Sequence, residues 1–208
     1  MREHLLIIAF VFLGVNLFGQ IKLGITTGAQ FAHTRSGNTN TDSRFAYNFG
    51  VTSLIDLTSS IQLNTQLLFI GKGYKYYNSF EQRNLVKPVY FELPVVARFH
   101  FKTTENTGVF IGLGGYYAAG VGGKETYYIN DERLENKIEF GSSINAVLTK
   151  SDGGAVMQIG GNFRDNFEGC LFYDMGLANI IPNTTTLTYN RVIGFNLAWF
   201  IPSGKRDN

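Results

Sequence analysis

Residues 88–101, PVYFELPVVARFHF, alternate without a break. Phe91, Leu93, Val95, Ala97, Phe99 and Phe101 fall on one face, and Tyr90, Glu92, Pro94, Val96, Arg98 and His100 on the other. Side chains along a strand point to opposite faces with period two, so this segment reads as a β-strand, apolar on one side and mixed or polar on the other. It is far longer than the ~5–6 residues usual for a strand in a soluble domain. It also exceeds the ~9–11 residues with which a tilted strand crosses a bilayer.

The same rhythm recurs along the chain. Strands are predicted over residues 20–34, 45–57, 61–76, 88–101, 108–121, 153–163, 169–179 and 187–201. The connections alternate in length: loops at 35–44, 77–87, 122–152 and 180–186, and turns at 58–60, 102–107 and 164–168. Outer-membrane barrels have an even strand number, short periplasmic turns and longer outer loops. With both ends of the strand series periplasmic, every short turn falls on the periplasmic side. Residues 122–152 are rich in charge, and within them residues 138–148 are expected to stand above the rim as a hairpin. A structureless loop of that length is foreign to a compact soluble domain and ordinary on the outer rim of a barrel. The expected fold is all-β: a closed eight-stranded antiparallel up-and-down transmembrane β-barrel.

Composition narrows the function classes. The chain has 208 residues and a formal net charge of +2, which gives no electrostatic footprint for nucleic acid. Only 16% of residues are charged, against ~25% in soluble domains. There are 24 Gly, 11 Tyr and 18 Phe against one Trp, a balance opposite to that of a disordered chain. Cys170 is the single cysteine, so no intrachain disulfide can form. It reads as a small apolar residue in a strand.

Arg2 and His4 precede an apolar run over residues 5–15, and the small residue Gly19 stands before Gln20. This is the layout of a cleaved secretion signal over residues 1–19, with the barrel domain over 20–208. The run is shorter than the ~20 residues of a membrane-spanning helix. An outer-membrane address in a Gram-negative bacterium is therefore expected, with outer-membrane lipid as a partner.

A soluble eight-stranded carrier would alternate too, with its apolar face inward. Strand length argues for the membrane, and so do the aromatic clusters. Phe31, Phe45, Tyr47, Tyr74, Tyr76, Tyr77, Tyr116 and Tyr117 lie near the predicted outer ends, and Phe99, Phe101, Trp199 and Phe200 near the inner ends. Such girdles mark the two interfaces. The polar faces combine Gln, Asn and charge with glycine, which suits a narrow lumen filled by side chains. Pro94 removes a donor in mid-strand and is expected at a bulge or an irregular pairing.

Several segments resemble the PorT-like outer-membrane β-barrel family of Bacteroidetes-type bacteria. They are Tyr90-Phe91-Glu92-Leu93-Pro94, Phe110-Ile111-Gly112-Leu113-Gly114-Gly115-Tyr116-Tyr117, and Ser151-Asp152-Gly153-Gly154 leading into Ile159-Gly160-Gly161. Tyr173-Asp174-Met175-Gly176-Leu177-Ala178-Asn179-Ile180 and Gly194-Phe195-Asn196-Leu197-Ala198-Trp199-Phe200 follow in the same order. The resemblance covers nearly the whole mature chain. It implies the barrel fold and the outer-membrane address, in a family whose members mostly have no assigned activity, with one branch linked to protein secretion and gliding.

The candidate site is a set of lumen charges, Lys22, Asp56, Lys72, Glu92, Arg98, Arg164 and Asp174, acting as structural filling or as a polar path. Glu92 and Arg98 share a face but stand six residues apart, about 20 Å along a strand, too far to pair with each other. A hairpin centred near Gln82 would set Lys72 opposite Glu92 and Gln66 opposite Arg98. Pairing Lys72 with Glu92 would offset the desolvation of both charges. Catalysis finds little support: a rim hydrolase would have to combine His33 with Ser36 and Asp42. His100 reads as an interface residue, and GLGGYYAAG lies in a strand instead of at a strand-to-helix turn. No metal spacing and no cofactor motif occurs, so no metal, cofactor or enzymatic activity is expected. The expected role is a small structural or interaction barrel that contacts a protein partner through its outer loops, chiefly residues 122–152. The alternatives are a narrow pore or transport- and secretion-associated porin-like protein, and the rim lipid hydrolase.

Overall fold

The computed structural model describes residues 21–37, 39–77, 83–104, 107–129, 132–143, 146–164 and 166–202. The secretion signal expected over residues 1–19 lies outside them. Eleven strands form in chain order: β1 (Ile21–Ser36), β2 (Thr39–Asn40), β3 (Arg44–Asp56), β4 (Ile61–Gly71), β5 (Tyr74–Tyr77), β6 (Arg83–Thr104), β7 (Thr107–Ile129), β8 (Glu132–Lys137), β9 (Ser151–Phe163), β10 (Phe167–Gly176) and β11 (Thr188–Phe200).

Eight of them, β1, β3, β4, β6, β7, β9, β10 and β11, pair antiparallel with their neighbours. The ring closes where β1 pairs β11, from Gly24 opposite Phe200 to Ser36 opposite Thr188. Closure gives both edges of every ring strand a partner, as hydrocarbon demands of backbone N–H and C=O groups. The protein is an all-β, up-and-down eight-stranded barrel.

Polarity runs as the alternation requires. Phe91, Leu93, Val95, Phe99 and Phe101 are exposed on the outer surface, and Tyr90, Glu92, Val96 and Arg98 are buried inside. On β1 the outward apolar residues run from Ile21 to Phe31. Ten residues at ~3.4 Å, tilted by ~40°, span about 26 Å. That matches the ~25 Å apolar band of such barrels.

Four expectations are corrected. First, parity turns Tyr116 and Phe200 into the lumen, where both are buried, so neither belongs to an aromatic girdle. Second, the described residues of 138–148 make no antiparallel hairpin; Phe140 and Leu148 form a parallel bridge. The hairpin above the rim is β7 with β8, Lys124 opposite Lys137 through Ile129 opposite Glu132. Residues 138–148 fold back over the mouth instead, because Ile138, Phe140 and Leu148 are apolar and bury against Val86, Ile180, Tyr74 and Tyr76. Third, Leu68 faces Glu92 and Gln62 faces Arg98 across β4 and β6. The β5–β6 pairing, Tyr77 opposite Arg83, centres that hairpin two residues before Gln82. The resulting offset is even, so every side chain keeps its face. Fourth, Arg164 is exposed in the β9–β10 turn in a left-handed conformation (φ 53°), at the rim and outside the lumen.

Pro94 sits where the β4–β6 ladder breaks, between Thr65 opposite Val95 and Leu68 opposite Glu92, with no residue inserted. The missing N–H of proline accounts for the break. The register shifts of β6–β7 lie elsewhere, at Val89/Tyr90 and Lys102/Thr104.

Candidate functional site

The lumen is a stack of polar layers. Each layer is built from inward-facing positions of strands that are distant in sequence. The outer layer centres on Lys72, which follows β4. Its Nζ lies 2.6 Å from Glu92 Oε2 and 2.9 Å from Asp152 Oδ2, with all three side chains fully buried. The ammonium also stands 4.0 Å from the centre of the Tyr116 ring. The Tyr116 hydroxyl donates to Asp152 Oδ2 at 3.1 Å, and Asn190 Nδ2 donates to the same oxygen at 2.9 Å. Asp174 is buried in this layer's electrostatic neighbourhood, and its Oδ2 has no hydrogen-bond partner among the described residues.

The inner layer centres on Arg98 of β6. Its Nη1 donates to Glu168 Oε1 (2.8 Å), its Nε to Gln158 Oε1 (2.8 Å) and its Nη2 to Asn64 Oδ1 (2.9 Å). The Phe110 ring flanks the guanidinium at 4.1 Å. Arg98 thereby joins β6 to β10, three strands away round a ring of eight. A third set links neighbouring walls: Asn48 Nδ2 donates to Gln30 Oε1 (2.8 Å) and Asn196 Oδ1 (2.9 Å), and Gln30 Nε2 donates to the Gly71 carbonyl (3.0 Å). An isolated buried charge costs far more than a paired one, and most of the polar groups here are matched.

Glycine makes room for these long side chains. A Cβ at Gly112 would meet Arg98 Cγ at 2.9 Å, and one at Gly120 would run into the Phe140 ring. Phe140 meets the Tyr90 ring edge-on at 5.6 Å and so roofs the lumen.

At the periplasmic end a vestibule of about 380 Å³ opens, lined in part by Lys22, Asp56, His100, Lys102 and Glu168. Gln62 Nε2 donates to Asp56 Oδ1 at 2.7 Å. Of the seven charges named from the sequence, the fold brings Lys72, Glu92 and Asp174 together, sets Arg98 in a separate layer, places Lys22 and Asp56 at the inner mouth, and leaves Arg164 on the turn. Sequence reasoning missed Asp152, Glu168, Tyr116 and Asn190. The first two stand at the ends of the predicted loop 122–152 and turn 164–168. Extending the strand parity by one or two residues would have turned both inward.

The rim residues named for hydrolysis go separate ways. Ser36 Oγ accepts from Thr188 Oγ1 (3.0 Å), and the Asp42 backbone pairs with Lys75. His33 stands opposite Arg191 on β11. Among the described residues no group of His, Cys, Asp and Glu is arranged to hold a metal ion.

The sequence model of the outer membrane protein beta-barrel domain family matches residues 11–182. The chain belongs to that family. Its place is the outer membrane, and the lipid-facing surface described above is the corresponding physical feature. A comparison with curated proteins finds no match. Similar solved structures are themselves outer-membrane barrels. The attachment invasion locus protein Ail of Yersinia pestis is 11% identical, over 88% of this chain and 100% of Ail, with a TM-score of 0.45. Neisserial surface protein A is 7% identical over 88% and 100%, with a TM-score of 0.49. OprG of Pseudomonas aeruginosa is 11% identical over 87% and 95%, with a TM-score of 0.45.

Proposed function

We propose that this outer-membrane barrel is a non-conducting interaction protein whose contact surface is the outer rim, chiefly residues 122–152. The observation that carries the reading is the division of labour inside that segment. Residues 138–148 close the mouth, and the β7–β8 hairpin projects beyond it with every β8 side chain exposed. The outer edge of β8 has no strand partner among the described residues. It carries Glu132, Arg133, Glu135 and Lys137. Charges on an edge strand discourage pairing with another strand, so a partner would read the side chains. Leu134, 49% exposed, is the apolar residue among them.

A pore reading has the lumen against it. The layers around Lys72 and Arg98 fill an interior that eight strands leave only wide enough for side chains. No catalytic role is assigned, since no hydrogen bond joins the His33, Ser36 and Asp42 side chains among the described residues and Ser36 is bonded to Thr188. The ordered motifs over β6, β7, β9, β10 and β11 support a kinship with PorT-like barrels.

Two measurements test this. In planar bilayers the purified barrel is expected to show no steady open state, and a large one would overturn the reading. In a pull-down from the native host, replacing residues 128–133 by a two-residue turn, which keeps the β7 residues that pair with Asn84, Leu85 and Val86 of β6, is expected to abolish a specific protein partner while leaving the roof intact. An unchanged set of partners would count against the hairpin.

A further inference from the structure

The lipid-facing side of the barrel changes character above Phe31. His33 and Arg35 continue the outward face of β1, and Tyr189 and Arg191 continue that of β11, with His33 opposite Arg191 and Arg35 opposite Tyr189. Between these strands and the loop before β11 lies a cavity of about 480 Å³ lined by Arg35, Gly37, Thr186, Leu187, Tyr189 and Arg191. No carboxylate lines it. Arg191 Nη1 donates to the carbonyls of Gly176 (2.6 Å) and Asn190 (2.9 Å), which fixes the half-buried guanidinium. Its remaining N–H groups have no partner among the described residues. The Tyr189 ring stands 5.7 Å from the same guanidinium. Arg35 makes one long bond, Nε to the Gly37 carbonyl at 3.4 Å. Neither arginine has an acidic partner among the described residues, unlike Lys72 and Arg98 inside the barrel.

Height identifies the occupant. Phe31, Phe45 and Tyr47 form the upper aromatic edge of the apolar surface. Four residues beyond Phe31, at ~3.4 Å each and tilted by ~40°, Arg35 stands about 10 Å above that edge. That is the level of lipid headgroups. Two arginine forks with free donors match the oxygens of a phosphate. The aliphatic and aromatic surface directly below, Ile193, Phe195 and Phe31, offers a bed for acyl chains.

We infer that Arg35 and Arg191, with Tyr189 between them, form a binding site for the phosphate headgroup of an outer-leaflet lipid, held on the outer wall at the β1–β11 seam. The site lies on a different surface from the hairpin proposed for protein contact and stands or falls independently of it.

The test is native mass spectrometry of the protein extracted from the outer membrane into nonionic micelles and titrated with phosphatidic acid, a phosphomonoester lipid. Each basic residue near a charged lipid surface is worth about a fivefold change in affinity. R35Q/R191Q is expected to weaken phosphatidic acid binding by at least about tenfold. K137Q/K150Q removes the same charge from another part of the rim and is expected to leave binding unchanged. Phosphatidylcholine should bind no more tightly to the wild type than to R35Q/R191Q. Equal loss in both double variants, or no loss in R35Q/R191Q, would overturn the site. Displacement by equimolar inorganic phosphate would assign the arginines to a soluble anion and overturn the lipid. Should the double variant fail to fold, R35Q alone decides, with an expected loss of about fivefold, because Arg35 bonds only to its own loop.

Discussion

Replacing Arg98 by methionine would leave the Glu168 carboxylate and the Gln158 and Asn64 oxygens facing one another without a donor. Removing one partner of a buried ion pair costs about 3–5 kcal/mol, so R98M is expected to lower the unfolding free energy in urea by that amount. R98M/E168Q removes the orphaned charge as well and is expected to regain most of the loss. A double variant as unstable as the single one would show that Arg98 acts through its shape alone. Residue-scale legibility was uneven. Arg98, Lys72 and Glu92 could be named as lumen charges from parity. That Lys72 and Glu92 meet was also inferred, although Lys72 is displaced four residues from the position across from Glu92. An offset of ~13 Å along the strand is bridged by the two long side chains. Backbone register alone could not have told this.

At the scale of elements, the β7–β8 hairpin is held by its ends and its charges. Glu135 accepts from Lys124 Nζ at 2.9 Å and from Arg133. These two bonds, Lys124 first, hold the Glu135 carboxyl down at about 2. A depressed carboxylate pKa stabilises above the unfolded value of ~4.3 and ceases to do so as pH falls through the folded one. Carboxyl NMR is expected to put the Glu135 midpoint near 2 and to move it towards the ordinary carboxylate range in K124A. A midpoint unchanged by K124A would remove that bond from the account. The roof offers a second prediction at this scale. A Cβ at Gly120 collides with Phe140, so G120V is expected to lift residues 138–148 off the mouth. Faster amide exchange at Ile138 and Leu148, with exchange in β9 and β10 unaffected, is the signature. That apolar Ile138, Phe140 and Leu148 turn inward is not legible from the residues alone, because a loop has no period from which to read a face.

For the whole molecule, orientation in the bilayer makes the sharpest expectation. Trp199 is the single tryptophan. It is 38% exposed, on the outward face of β11 at the periplasmic end. Its emission is expected to be quenched most by acyl chains brominated near the headgroup and least by chains brominated at their tips. The reverse order would contradict its place at the interface, and no quenching by any brominated chain would contradict the inside-out polarity. A second expectation concerns export: the first residue of the protein recovered from the outer membrane is expected to be Gln20, read by mass spectrometry. An intact Met1 would remove the secretion signal from the account.

Period-two alternation, strand length and the long-short order of connections were enough to determine the barrel, its strand number and which side chains face lipid. These follow from local geometry, since a strand's two faces are set by the pleat and hydrocarbon tolerates only closed sheets. What each lumen residue touches was decided in three dimensions. Asp152 meets Lys72, Glu168 meets Arg98 and Asn196 meets Asn48 only after the ring closes and brings strands distant in sequence round one lumen. Side chains that share a cross-section of the barrel are set by register and shear, and neither is written in the period of any single strand.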